Sequence, residues 1–157
     1  QIPTVDAIKS QLTRLSQVEG WRYAIGLRVR FANPTILYNT YPDSWLTEYA
    51  ALGLRFSDPT IRWGMSNFGV IDWADIAIDD PDGVMIKAQD HGLKFGIAVS
   101  VGDTVVRSMG FFARSDRSLT PEETDLASDI VDKLHLATDG LANADEATLD
   151  KLRGLNV

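Results

Sequence analysis

Few side chains in this 157-residue sequence could carry covalent or metal chemistry. It contains no cysteine, which removes disulfides, thiolate nucleophiles and cysteine-bound metals. The two histidines, His91 and His135, stand beside Gly92 and late in a helical pattern, and neither has a zinc-type spacing. His135, near a helix C-terminus, would suit the helix dipole as a cation. Gly64-Met65-Ser66-Asn67-Phe68 has the outline of a nucleophile elbow. Phe68 replaces the second glycine, however, and the segment follows a helix rather than a strand. Asp72, Asp75, Asp79, Asp80 and Asp82 cluster without calcium-loop spacing or a closing glutamate, so they read as a solvated acidic loop with one helix cap. No enzyme activity, metal or cofactor is expected.

Reversible binding fits the remaining candidates better. The segment Tyr41-Pro42-Asp43-Ser44-Trp45-Leu46-Thr47-Glu48-Tyr49 is followed by Asp58-Pro59-Thr60 and Asp72-Trp73. Trp45 and Tyr49 are one helical turn apart and share a face. An indole donates only, a phenol chiefly donates, and an ionised aspartate only accepts. Two or three donors and one acceptor on apolar bodies suit a small ligand with carbonyls and one amide N–H, held in a mostly apolar pocket. An aromatic core stripe with a capping aspartate accounts for the same residues, and pattern alone leaves both readings open.

The elements that must position these groups are legible as periodicities. Val5, Ile8, Leu12, Leu15 and Val18 describe an amphipathic helix stopped by Gly20. Tyr23, Ile25, Leu27, Val29 and Phe31 then alternate with Arg22, Ala24, Gly26, Arg28 and Arg30, as in a strand with one apolar face. Asn33-Pro34 marks a turn, and 35–39 is the partner strand. Pro42 to Leu52 reads as a helix with Trp45, Tyr49 and Leu52 on one face, stopped by Gly53. Asp58-Pro59 and Asp80-Pro81 each open a helix, with Asp at the cap and Pro at the first position, and Gly92 closes the second. Lys94–Val101 and Thr104–Ala113 are strands joined at Gly102-Asp103. Thr120-Pro121-Glu122-Glu123 is a capping box ahead of a long helix lined by Leu126, Ile130 and Leu134. A last helix runs from about Ala144 to Leu152.

Antiparallel strands with helices before, between and after them predict an α/β/α sandwich, a central antiparallel sheet covered on both faces. On one strand Gly96, Ala98 and Ser100 share a small-residue face, which either leaves volume beneath the aromatic helices or seats them tightly. The net charge of −7 and pI near 4.7 argue against these residues gripping a phosphate backbone. No stretch approaches the ~18 apolar residues of a membrane span, so we expect a cytoplasmic protein with no membrane partner.

Tyr41-Pro42, Trp45, Tyr49, Asp58-Pro59 and Trp73, with Gly92-Leu93 and Gly96 ahead of two strands, resemble the autoinducer-binding domain of the LuxR family. The likeness runs from about Val5 to Leu136. It implies the same sandwich, a homodimer, and an N-acyl homoserine lactone between sheet and helices. By position, Trp45 would donate to the lactone carbonyl, Asp58 would accept from the amide N–H, and Tyr41 would donate to the acyl carbonyl. Tyr49 and Trp73 would pack on the head group, and Thr60 would add a polar contact. Small Ala98 would lie beneath the ligand. Phe111 and Ala113 stand on the strand that lines the acyl tail, where an inward Phe111 would favour a short or medium chain.

The sequence departs from the family by carrying Ser100 where proline is common. It begins with Gln1, and 1–157 is expected to be one sensing domain. Residues 139–157 would lead toward a DNA-binding domain outside this chain. Other amide-type or aryl signals, a ligand-independent regulator, and a lactone or amide hydrolase are the competing readings.

Overall fold

A computed structural model describes residues 3–30 and 33–155. The elements in chain order are α1 (Pro3–Ser16), β1 (Trp21–Arg30), β2 (Asn33–Asn39), α2 (Asp43–Ala51), α3 (Pro59–Ser66), β3 (Gly69–Asp72), α4 (Val84–Gln89), β4 (Phe95–Gly102), β5 (Arg107–Arg114), α5 (Pro121–Ala137) and α6 (Glu146–Arg153). Short 3-10 turns occupy Leu54–Phe56, Trp73–Asp75 and Leu141–Asn143. The strands form one sheet in the order β2-β1-β5-β4-β3, and every neighbouring pair is antiparallel. Helices α1, α5 and α6 bury Val5, Ile8, Ile130, Leu134 and Leu152 against one face. Helices α2, α3 and α4 cover the other. The fold is the expected α/β/α sandwich. No described helix is long and apolar enough to cross a membrane.

Local signals explain most boundaries. The capping box forms: the Glu123 N–H donates to Thr120 Oγ1 at 3.1 Å, and the Thr120 N–H donates to Glu123 Oε1 at 2.9 Å. Glu123 also accepts from Arg117 at 2.8 Å. Chiefly through Arg117, and further through the Thr120 N–H and the Arg114 charge, its carboxyl is pulled down to about 2. A carboxyl with a depressed folded value stabilises the fold above its unfolded value, and that contribution is lost as pH falls through the folded value. Glu123→Gln should therefore lower the thermal midpoint at neutral pH. The gap to wild type should close between ordinary glutamate titration and about pH 2, as followed by circular dichroism. A gap independent of pH would contradict this.

Several expectations are corrected. The alternation along β1 breaks after Leu27. Arg28 takes a left-handed φ of 53°, and the pairing with β5 shifts between Gly26 and Val29. This is a β-bulge, an extra residue that reverses which face later side chains meet. Tyr23, Ile25 and Leu27 pack toward α1 and α5, whereas Val29 packs with Trp63 and Met109 on the opposite side. The left-handed backbone costs ~1–2 kcal/mol. It is offset by the Arg28 N–H on Ser108 Oγ (3.1 Å), Arg28 Nε on Thr138 Oγ1 (3.3 Å), and the guanidinium on His135 O. Phe31 lies outside the described residues.

Asn33 and Pro34 are already in β2, paired with Arg30 and Val29. Leu52 is 56% exposed and leaves the α2 stripe. Asp80-Pro81 does not open α4 directly. Gly83 intervenes, and the Asp80 carboxylate reaches forward to accept from the Val84 and Met85 N–H groups at 2.8 and 2.9 Å. The acidic loop thus holds two caps, because Asp72 also accepts from the Ala74 N–H. The β4–β5 loop is 103–106, since Gly102 still pairs with Arg107. Burial and the Arg28 charge hold the His135 imidazole below its ordinary value. It lies 2.6 Å from Ser108 Oγ, so it acts as a hydrogen-bonding group rather than a cation for the helix dipole. Edge strand β3 was not expected; its residues are mostly exposed and leave little hydrophobic pattern.

Candidate functional site

A cavity of about 260 Å³ lies between the sheet and α2, α3 and α4. This is near the lower end of the ~300–1,000 Å³ of small-molecule sites. Ala24, Gly26 and Val29 of β1 and Met109 and Phe111 of β5 form its floor. Trp45 and Tyr49 come from α2, Asp58, Thr60 and Ile61 from the start of α3, and Val84 and Ala88 from α4; Tyr41, Trp73 and Leu93 complete the walls. Exposed Pro34, Leu37 and Arg55 also line it, so the cavity opens to solvent on their side.

The polar groups converge because each is placed by a local rule. Asp58 is the N-cap of α3, and Pro59 starts the helix. One carboxylate oxygen accepts from the Thr60 N–H at 2.8 Å and from Thr60 Oγ1 at 2.7 Å; the other accepts from the Tyr49 hydroxyl at 2.7 Å. Asp58 is 8% exposed, and burial pushes its carboxyl up from the ordinary aspartate range, against the pull of the Thr60 and Tyr49 bonds. Burial, and then the Asp58 charge, pushes the Tyr41 and Tyr49 phenols well up, so both remain protonated donors. Trp45 meets Tyr49 edge-on with ring centroids 5.4 Å apart.

His91 backs Trp45 at 5.3 Å, its Nδ1 lying 2.8 Å from Ser44 Oγ and its Nε2 3.1 Å from Glu48 Oε1. Among the described residues no group of three His, Cys, Asp or Glu side chains could hold a metal.

Seven of the nine candidates named from the sequence line the cavity: Tyr41, Trp45, Tyr49, Asp58, Thr60, Trp73 and Phe111. Ala98 and Ala113 do not. Ala98 is buried in the cluster with Trp63 and Met109, and Ala113 packs with Trp45, Leu54 and Leu93. The small face of β4 seats the covering elements instead of forming the floor. The Trp73 ring lies on Gly96, where an added Cβ would fall 2.5 Å from the indole Cδ2, and Ser100 Oγ donates to Gly64 O at 2.9 Å. Gly96→Ala should therefore displace Trp73 and change the near-ultraviolet circular dichroism while leaving the far-ultraviolet spectrum intact. An unchanged near-ultraviolet spectrum would refute this packing. Trp73 Nε1 is the one fully buried side-chain polar atom without a hydrogen-bond partner among the described residues.

Floor residues Ala24, Gly26 and Met109, and Ile61 on α3, carry no chemical signal in the sequence, and Val29 meets the cavity against the strand alternation because the bulge has no sequence signature.

The autoinducer binding domain family matches residues 4–139. The transcriptional activator protein SolR of Ralstonia nicotianae is 33% identical over 79 residues, which are 50% of this chain and 34% of SolR. The match thus spans about a third of that relative's length. Among solved structures, SdiA in complex with octanoyl-rac-glycerol superposes with a TM-score of 0.60 at 22% identity, over 91% of this chain and 60% of SdiA. CepR2 of Burkholderia cenocepacia, an N-acylhomoserine lactone dependent LuxR family transcription factor, gives 0.58 at 15% identity, over 87% and 92%. At these identities the two structures speak for the fold alone. The relatives are regulators of transcription rather than enzymes. With the family matched over nearly its whole length and the sandwich shared, this chain belongs to the autoinducer-binding domains of LuxR-type quorum-sensing regulators.

Proposed function

We propose that the cavity binds an N-acyl homoserine lactone of short or medium chain length. The observation that carries this reading is the Asp58 carboxylate. Thr60 and Tyr49 donate three bonds to it, and the Ile61 N–H adds a weaker pull on the same carboxylate. It is a buried acceptor that lines the cavity beside the donors Tyr41 and Trp45, and an amide N–H of the ligand donates to it. Trp45 donates to the lactone carbonyl and Tyr41 to the acyl carbonyl, while Tyr49, Thr60 and Trp73 enclose the head group. Val29, Ile61, Met109 and inward-facing Phe111 surround the acyl chain and limit its length.

A ligand that binds only the folded state stabilises it by mass action, by ~2.7 kcal/mol at a hundredfold excess over Kd. Occupancy in this way favours the folded form and a homodimer of it, and through the dimer a DNA-binding domain outside these residues. A thermal-shift series over acyl lengths tests the reading. Shifts of several degrees, largest for short or medium chains, are expected; no shift at any length overturns it.

The SdiA complex favours a second reading, an acylated polyol whose hydroxyl donates to Asp58. Mass spectrometry of ligand retained through purification separates the two by mass.

A further inference from the structure

We infer that Arg107, which does not line the cavity, is a positioning residue for the Asp58 contact. Arg107 is buried, 7% exposed. Nη1 donates to Gly64 O at 2.7 Å and to Asn67 O at 3.4 Å, and the Phe68 ring lies 4.5 Å from its centre. Among the described residues no carboxylate lies within ion-pair distance of it. A buried cation whose partners are carbonyls at the end of a helix is placed where the helix dipole favours it. Ser100 Oγ donates to the same Gly64 carbonyl at 2.9 Å. The C-terminal end of α3 is thus latched to β4 and β5 together.

The latch sits where helix and sheet approach closely. A Cβ on Gly64 would lie 2.4 Å from Met109 Sδ and 3.8 Å from Phe111 Cζ, and both of those side chains form the cavity floor. Asp58 caps the other end of the same helix, about 9 Å away at 1.5 Å per residue. α3 is a short rigid bar, fastened at one end by Arg107 and Ser100 and presenting Asp58 and Thr60 at the other. Hydrogen-bond strength falls steeply with distance and angle. Releasing the fastened end therefore degrades the contact to the ligand amide more than it degrades apolar contacts.

The inference rests on the reading that Asp58 accepts from a ligand amide, and one experiment separates the two. Calorimetric titration of the full chain compares an N-acyl homoserine lactone with its α-acyloxy-γ-butyrolactone isostere, in which oxygen replaces the amide N–H. Wild type should prefer the amide by about tenfold or more, and Asp58→Ala, which removes the acceptor, should abolish the preference. Arg107→Met should reduce it to about threefold or less while leaving affinity for the ester nearly unchanged. Arg107→Lys should retain most of the preference, and Ser100→Ala should give an intermediate value. Equal weakening of both ligands in Arg107→Met, with the preference intact, overturns the positioning role and leaves the Asp58 reading standing. A preference that survives Asp58→Ala overturns both. If Arg107→Met does not fold, an undiminished preference in Ser100→Ala overturns the inference.

Discussion

Asp58→Ala is expected to weaken signal binding by about ten- to a hundredfold, the ~1–3 kcal/mol cost of leaving a buried amide N–H unpaired. The same change removes the N-cap of α3, so the ligand-free protein should also lose ~0.5–2 kcal/mol of stability. Titration calorimetry and denaturant unfolding measure the two losses separately. Affinity within twofold of wild type would end the assigned role.

Asp58 also predicts a pH dependence. Burial raises its carboxyl above the ordinary value of 3.8. In the ligand-free fold this group therefore contributes stability below its unfolded value, and that contribution is lost as pH rises through the folded value. A ligand N–H favours the charged form, so binding opposes the shift. Affinity should fall on acidification, beginning above the pH at which an exposed aspartate titrates, and Asp58→Asn should flatten that dependence. The affinity of wild type and variant, followed from neutral to mildly acidic pH, is the check.

Phe112→Ala is expected to be the most damaging single truncation in the other layer, at ~3–5 kcal/mol. Phe112 has no exposed surface and lies 5.0 Å from the Trp21 ring and 6.2 Å from Tyr23. A domain of this kind has ~5–15 kcal/mol in total, so the variant should be partly unfolded near physiological temperature. Phe112 faces α5, away from the cavity. The folded fraction should therefore bind with its intrinsic affinity unchanged, and saturating ligand should restore much of the lost midpoint by mass action. A urea midpoint implying less than ~1 kcal/mol of loss would contradict the packing.

The contrast between Asp58 and Val29 shows what a sequence can convey here. Asp58-Pro59 and Thr120-Pro121-Glu122-Glu123 are local grammar: cap, fixed φ and reciprocal bond all lie within four residues, and the structure uses them as read. Tyr41, Trp45, Tyr49 and Trp73 were legible because polar tips on large apolar bodies demand partners. Val29 was not, because a bulge is decided by pairing with β5, some eighty positions away in the chain. Arg107 was missed for a related reason. In a strand pattern a lone arginine reads as solvent-facing, and only the folded chain brings the carbonyls of Gly64 and Asn67 to it. Ala98 reads as part of a small-residue strand face, and Ala113 is placed by likeness to a strand position. Side chains from α2, Trp63 and Leu93 cover them, and no one-dimensional pattern records that cover.

The bulge at Arg28 amounts to a change of parity in β1. Before it, Tyr23, Ile25 and Leu27 pack toward α1 and α5 while Ala24 and Gly26 meet the cavity; Arg28, at the bulge, reaches α5, and Val29 after it meets the cavity. Chain length at this point is therefore as consequential as residue type. Deleting one residue between Gly26 and Val29 restores a regular pleat. Val29 would still meet the cavity after that deletion, whereas a regular pleat that kept every residue would turn Val29 into the α5 layer and the Arg28 guanidinium toward the cavity.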